Sequence, residues 1–371
     1  MGAEKGSLEW IKNRPLSTIV ELKFINSLIK HHPDRFEEGA IGKIRNIIFL
    51  DHLPNPSVDP FVDPEGVLVD ISDRKNRGVL AYFTPDRETL YVGAEGGINA
   101  EGRCEKMFRE LKSVERIVFE PGSFHTDAAD SFCYMFEFCI SLRELDLSGF
   151  DTSNARNMSY MFNGCKSLTT IELGSFDTSE VHDFRSMFAN CNSLAALDLR
   201  GFDTSKGVNF SCMFDKCSSL TSLDLSGFDT SKGNDFAAMF RGCEMLESLN
   251  LKGMETSGAK NFDCMFKDCK SLKKLDLRSF RTDDAVSFYE MFYGCEKLVK
   301  LDISSFDTSN ALNFTRMFCD CRSLKSLSTG RLVIKGKVRF VKEFREDGDS
   351  EWFQADPALS DMFRGCDRLE L

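Results

Sequence analysis

A Met-Phe pair recurs every 26 residues, opening at Met135, Met161, Met187, Met213, Met239, Met265, Met291 and Met317. Outlying copies begin at Met107 and Met362. The unit reads M-F-x-x-C-x-x-L-x-x-L-D-L-S-x-F-D-T-S-x-x-x-x-F-x-x. A chain of 371 residues would otherwise suggest two or three compact domains. A fixed period in this range instead predicts a stack of units, each burying its apolar face only against its neighbours.

Two periodicities sit inside each unit. Leu220, Leu223 and Leu225 end in the alternation of a short strand. Phe236, Met239, Phe240 and Cys243 fall at i, i+3, i+4 and i+7, one face of a helix. Between them Asp229, Thr230 and Ser231 supply turn and N-cap residues. The expected fold class is an α/β solenoid of leucine-rich-repeat type. A parallel sheet forms one face and short helices the other, with one strand and one helix per repeat and strands about 4.8 Å apart.

This frame accounts for an unusual composition. Of 34 Phe, ten lie in the Met-Phe pairs, seven lie three residues before the Met and seven precede the turn. They read as core columns and not as a ligand box. Cys139, Cys165, Cys191, Cys217, Cys243, Cys269, Cys295 and Cys321 recur with the same period, and Cys366 ends the series. One column does not supply the facing pairs that disulfides need. Without histidine partners or metal-ligand spacing it does not read as zinc sites. Buried free thiols are expected.

Four regions are expected: a helical cap over 1–39, a degenerate opening repeat with an inserted β-hairpin over 40–120, regular repeats over 121–328, and an insertion plus partial repeat over 329–371. Apolar spacing around residues 7–35 predicts a segment that covers the edge of the first strand. "GVLAYFTPDRETLYVGAEGG" reads as a hairpin turning at Pro85-Asp86. The insertion carries Trp352, a candidate contact, because insertions in solenoids project as loops.

The outward strand positions are the natural binding surface. One column reads Asp146, Glu172, Asp198, Asp224, Asn250, Asp276, Asp302 and Ser328. Stacked carboxylates repel, and Arg200, Lys252, Arg278, Lys274 and Lys300 stand two residues to either side as compensating cations. The column reads as a solvated charged ladder or as an acidic stripe for a basic partner. It does not read as a calcium loop, which needs oxygen ligands at fixed offsets and a turn glycine.

Enzyme signals are absent. The five histidines, His31, His32, His52, His125 and His182, sit in no metal or triad motif. "VGAEGG" follows a hairpin strand and reads as a turn. No cofactor and no metal are expected. A net charge of -11 argues against a nucleic-acid partner. No apolar run of about 18 residues predicts a membrane span. "MGAEKGSLEWIKNRP" does not read as a secretory signal, which predicts a cytoplasmic chain or one whose export signal lies elsewhere. The expected partner is a protein and the expected state a monomer.

The repeat "MFNGCKSLTTIELGSFDTSEVHDFRSMF" resembles the BspA-like leucine-rich-repeat proteins, also described through a domain of unknown function in mycoplasma lipoproteins. "IRNIIFLDHL", "VDISDRKNRGVLAYF" and "LYVGAEGGINA" resemble the segment before the repeats in bacterial members. The resemblance covers roughly residues 40–371. It implies a non-enzymatic surface protein that adheres to host matrix proteins or to other cells, with no binding residues carried over. An intracellular interaction scaffold on the same solenoid is the alternative. An enzyme would need a catalytic cluster in the 329–361 insertion.

Overall fold

The computed structural model describes residues 17–18, 40–55, 59, 66–70, 79–100, 104–329 and 361–369. The stretch expected as a helical cap, apart from its fragment Ser17–Thr18, and the insertion with Trp352 lie outside these residues. Before the regular repeats come β1 (Ser17–Thr18), β2 (Asn46–Leu50), β3 (Val67–Asp70), β4 (Leu80–Phe83), β5 (Thr89–Gly93), β6 (Ile98–Asn99), β7 (Arg116–Phe119) and β8 (Phe124–His125). The repeats add β9 (Glu144–Asp146), β10 (Thr170–Glu172), β11 (Ser222–Asp224), β12 (Ser248–Asn250), β13 (Lys300–Ile303) and β14 (Ser326–Thr329).

The main sheet runs β10-β9-β7-β2-β5-β4-β3. Its repeat strands are parallel and in register by one unit, Leu145 facing Ile171. β11 with β12 and β13 with β14 continue the pattern as separate parallel pairs. β4 and β5 form an antiparallel hairpin across Pro85 and Asp86. β5 lies parallel against β2 and therefore occupies the edge expected to be covered by residues 7–35. The second strand of the inserted hairpin pairs with β2 along its whole length, from Asn46–Thr89 to Leu50–Gly93, and the segment expected as a cap lies outside the described residues apart from Ser17–Thr18.

The face opposite the sheet departs from expectation. Among the described residues the only helix is the 3-10 turn Ala40–Lys43, so the expected short helices on that face are not formed. Phe236 to Cys243 is a chain of turns. Met239, Arg241 and Cys243 each donate their N–H to the carbonyl three residues back, at 3.1–3.2 Å. Phe236, Ala238, Phe240 and Gly242 donate instead to Asn261, Asp263, Met265 and Lys267 of the next coil, at 2.7–3.1 Å. Ala238 (φ 53°) and Gly242 (φ 71°) have the positive φ that the third residue of a type II turn requires. A helix would spend the N–H groups beyond its first turn, those of Phe240 and Gly242 among them, internally. The turn chain leaves alternate ones free to join coils, and an unbroken series of parallel bridges runs from Ser131–Asn157 to Ser287–Asn313.

Between the two faces the columns close the core. Rings of the Met-Phe column stack from Phe108 to Phe363 with centroids 5.2–5.9 Å apart, as offset aromatic pairs prefer. A second stack joins Phe184, Phe210, Phe236, Phe262, Phe288 and Phe314. The cysteine column is more than apolar filling. Each thiol donates to the carbonyl of a Met-Phe phenylalanine in the preceding coil, Cys243 to Phe214 at 3.1 Å and Cys139 to Phe108 at 3.0 Å. Burial pushes Cys139 and Cys191 up from the ordinary 9.0 to about 12. All fourteen cysteines are unpaired.

A third column was not anticipated. The Thr of each "DTS" is buried, and the hydroxyls of Thr152, Thr178, Thr204 and Thr230 donate to the carbonyl of the next coil, Thr152 to Asp177 at 2.9 Å and Thr204 to Asp229 at 2.8 Å. The turn therefore buries Thr as a coil-to-coil clamp where an N-cap was expected.

Candidate interaction face

The outward positions of the sheet are set by the alternation of the strands: Leu145 is buried while Glu144 and Asp146 point to solvent. Asp146, Glu172, Asp198, Arg200, Asp224, Lys252, Lys274, Asp276, Arg278, Lys300 and Asp302 are all exposed, and Asn250 is half-buried. The ladder is not continuous, because residues 195–199 and 273–277 leave strand geometry. The backbone bonds that cross there are long, Thr221 to Ala195 at 3.4 Å and Val299 to Lys273 at 3.5 Å. Asp198 and Asp276 thus stand on loosened coils and not on paired strands.

The recurring Asp has a local cause. Asp146, Asp224 and Asp302 each accept the N–H of the serine two residues on, at 2.9 Å, closing an Asx turn at the strand end. Asp198 and Asp276 do the same for Arg200 and Arg278 at 3.1 Å, and each also takes its own arginine's guanidinium at 2.6 Å. Those arginines hold both carboxyls down to about 2, helped by the backbone N–H bonds. Among the paired strands, like charges face one another at Asp146 and Glu172, and Asp276 acts on Asp302 from the adjacent coil. At Asp224 the facing residue is Asn250, whose amide donates to it at 2.9 Å.

The compensating cations act differently from expectation. Arg200 and Arg278 neutralise their own coil, whereas among the described residues Lys252, Lys274 and Lys300 are in no ion pair. Pairs between coils come from other positions: Arg116–Glu144 at 3.6 Å, Arg143–Glu115 at 3.5 Å and Lys273–Glu247 at 3.5 Å. The face is consequently polarised. Glu144, Asp146 and Glu172 outweigh Arg143 in the early coils, and Lys273, Lys274, Arg278, Lys300 and Lys325 outweigh Asp276 and Asp302 in the late ones.

The turn face carries a set of buried charges that the repeat consensus hides as variable positions. Glu137 receives Arg109 and the Asn163 amide, and Asp215 accepts from Nη2 and Nε of Arg241 at 2.5 and 2.8 Å. Glu290 pairs with Lys267 and with Arg316 at 3.7 Å. These bonds tie neighbouring coils and leave the carboxylates with little exposed surface, so they read as structural and not as a site. Among the described residues no helix is long and apolar enough to cross a membrane.

Stacked coils, a parallel sheet on one face and leucine columns beneath it define a leucine-rich-repeat solenoid. The chain belongs to the family described as Mycoplasma protein of unknown function, DUF285, which matches residues 102–222, 169–274 and 246–330. No curated protein matches it. Among solved structures it is similar to the T. pallidum leucine-rich-repeat protein TpLRR, at 19% identity over 53% of this chain and 89% of that one, with a TM-score of 0.33. It is also similar to a leucine-rich-repeat protein from Bacteroides ovatus, at 15% identity over 73% and 76% of the two chains, with a TM-score of 0.34. A third likeness is to TLR13 in its complex with ssRNA13, at 17% identity over 63% and 40%, with a TM-score of 0.24.

Proposed function

We propose that the chain is a non-enzymatic protein-binding scaffold whose sheet face receives a protein partner, in the manner of BspA-type adhesins at a cell surface. One observation supports this most. The inward columns repeat the same residue types, while one outward column changes through Glu144, Thr170, Ala196, Ser222, Ser248, Lys274 and Lys300. A fixed interior under a varied exterior suits recognition of one extended partner surface. The change of sign along the face favours a partner of the opposite polarity and sets its orientation. The choice of host or matrix proteins rests on the family resemblance.

The test is surface-plasmon binding of the immobilised chain to purified extracellular-matrix glycoproteins. A double variant, Lys274→Glu with Lys300→Glu, serves as the comparison. The expected result is saturable binding that the variant weakens at least ~10-fold without change in melting, since exposed substitutions shift stability by only about 0.5 kcal/mol. Binding equal in both proteins, or none, overturns the reading.

The intracellular scaffold is the second reading, favoured by fourteen unpaired cysteines, which suit a reducing compartment. Antibody labelling of intact against permeabilised cells separates the two.

A further inference from the structure

One group of side chains outside the repeat columns is assembled only by the fold. Asp51 and His52 follow the end of β2, and Glu120 follows the end of its parallel neighbour β7. One ligand atom from each of the three lies within 4.8 Å of the others. The backbone holds them there. Gly96 N–H donates to the Asp51 carbonyl at 2.8 Å, and Glu120 N–H to the Phe49 carbonyl at 3.1 Å. A Cβ on Gly93 would stand 1.9 Å from the His52 carbonyl oxygen, so the loop can lie against β5 only over a glycine.

Two further facts set the group apart from a surface ion pair. His52 Nδ1 stands 2.8 Å from Asp51 Oδ1, while its other ring nitrogen, Nε2, stands 2.9 Å from Asp59 Oδ1. Asp59 is only 6% exposed and is itself oriented by the Asn55 N–H at 2.7 Å. A buried carboxylate behind the imidazole holds the ring by Nε2 and leaves Nδ1 beside Asp51, the kind of orienting partner that metal-binding histidines commonly have. The charge is also unbalanced. Among the described residues, Asp51, Asp59 and Glu120 are paired with no Lys or Arg, leaving three carboxylates around one imidazole.

We propose that Asp51, His52 and Glu120 bind a divalent transition-metal ion, with Asp59 as the residue that positions His52. One nitrogen and two carboxylate oxygens suit zinc, cobalt or manganese, with water filling the open positions. The ion ties the end of β2 to the end of β7 at the start of the solenoid. No spacing marks this site in the sequence, because Glu120 is brought to His52 by strand pairing alone.

The test uses the full chain, stripped with a chelator and titrated with Co²⁺ by equilibrium dialysis and optical absorption. The expected result is one Co²⁺ per chain, with weak ligand-field bands and no intense thiolate-to-cobalt charge-transfer band. Binding is lost in His52→Ala and falls at least ~10-fold in the isosteric Glu120→Gln. It falls about 10–100-fold in Asp59→Asn, the range for an orienting residue. Glu120→Gln keeps the test decisive should His52→Ala fail to fold. No saturable binding, binding unchanged in Glu120→Gln, or a thiolate charge-transfer band each overturns the proposal and leaves an ion-pair cluster only.

Discussion

Lys216 sits at φ 58° in the second positive-φ position of its coil, and Gly242 occupies the same position one coil later at φ 71°. An L side chain in the left-handed region costs about 1–2 kcal/mol, and glycine costs about 0.5–1 kcal/mol in backbone entropy. Lys216→Gly therefore leaves stability unchanged or raises it by up to about 1.5 kcal/mol. By the same balance Gly242→Ala leaves it unchanged or lowers it by up to about 1.5 kcal/mol. The steric contribution at Gly242 is small, since the nearest atom to an added Cβ is the flexible Lys216 Cγ at 3.1 Å. A helix at this place would invert both signs, with Lys216→Gly costing and Gly242→Ala gaining about 1 kcal/mol. Urea unfolding followed by circular dichroism, with slopes compared to confirm a common transition, reads the two differences. Loss of stability in Lys216→Gly together with a gain in Gly242→Ala refutes the turn chain.

Other consequences follow from the columns. Thr152 Oγ1 donates to the Asp177 carbonyl and accepts its N–H, both at 2.9 Å, while only the donated bond is present at Thr204. Thr152→Val should cost about 2–4 kcal/mol and Thr204→Val about 1–2 kcal/mol, with equal urea midpoints counting against the clamp. Asp215→Ala strands the Arg241 guanidinium, and because that side chain is 37% exposed, solvent screening limits the loss to about 1–3 kcal/mol in the same assay. At the alkaline end, buried thiols such as Cys139 and Cys191 have folded pKa values raised from 9.0 to about 12. Their contribution is complete below about 9 and is lost as pH rises toward 12, so the urea midpoint should fall there, and fall less when both are alanine. At the acid end, the folded pKa values of Asp198 and Asp276 are depressed to about 2. Their contribution is present above the ordinary carboxylate value near 4 and disappears as pH falls to 2, and a midpoint flat across that window contradicts the pairing of each carboxylate with its own arginine.

The stack, its period and its apolar columns were legible because each unit spells out its buried face in Leu, Phe, Met and Cys. The turn face was misread because a chain of turns and a helix can bury the same residues: Phe236, Met239, Phe240 and Cys243 point inward in both. The distinguishing signal lay one residue before the cysteine, where Gly164, Asn190, Gly242, Asp268, Gly294 and Asp320 favour left-handed backbone and are poor helix formers. The sheet-face Asp was legible as a column but not in its role, although D-x-S occurs twice in three of the units, as in Asp224–Ser226 and Asp229–Ser231, with the same hydrogen bond at both. The interruptions at residues 195–199 and 273–277 had no such signal, since the Leu and Asp of the strand frame are present there as in the paired coils. The grouping of Asp51, His52 and Glu120 was hidden for a different reason: it depends on which strands pair.

The central claim is that the repeated cysteines are free, buried thiols clamping coil to coil. The direct measurement is a thiol titration on protein purified without reductant, first native and then in denaturant. Eleven of the fourteen cysteines are buried, and only Cys212, Cys264 and Cys366 are partly exposed. The account predicts at most these three reacting in the native state and all fourteen after unfolding. Rapid native reaction of the column cysteines, or a shortfall after unfolding from pre-existing disulfides, would contradict it.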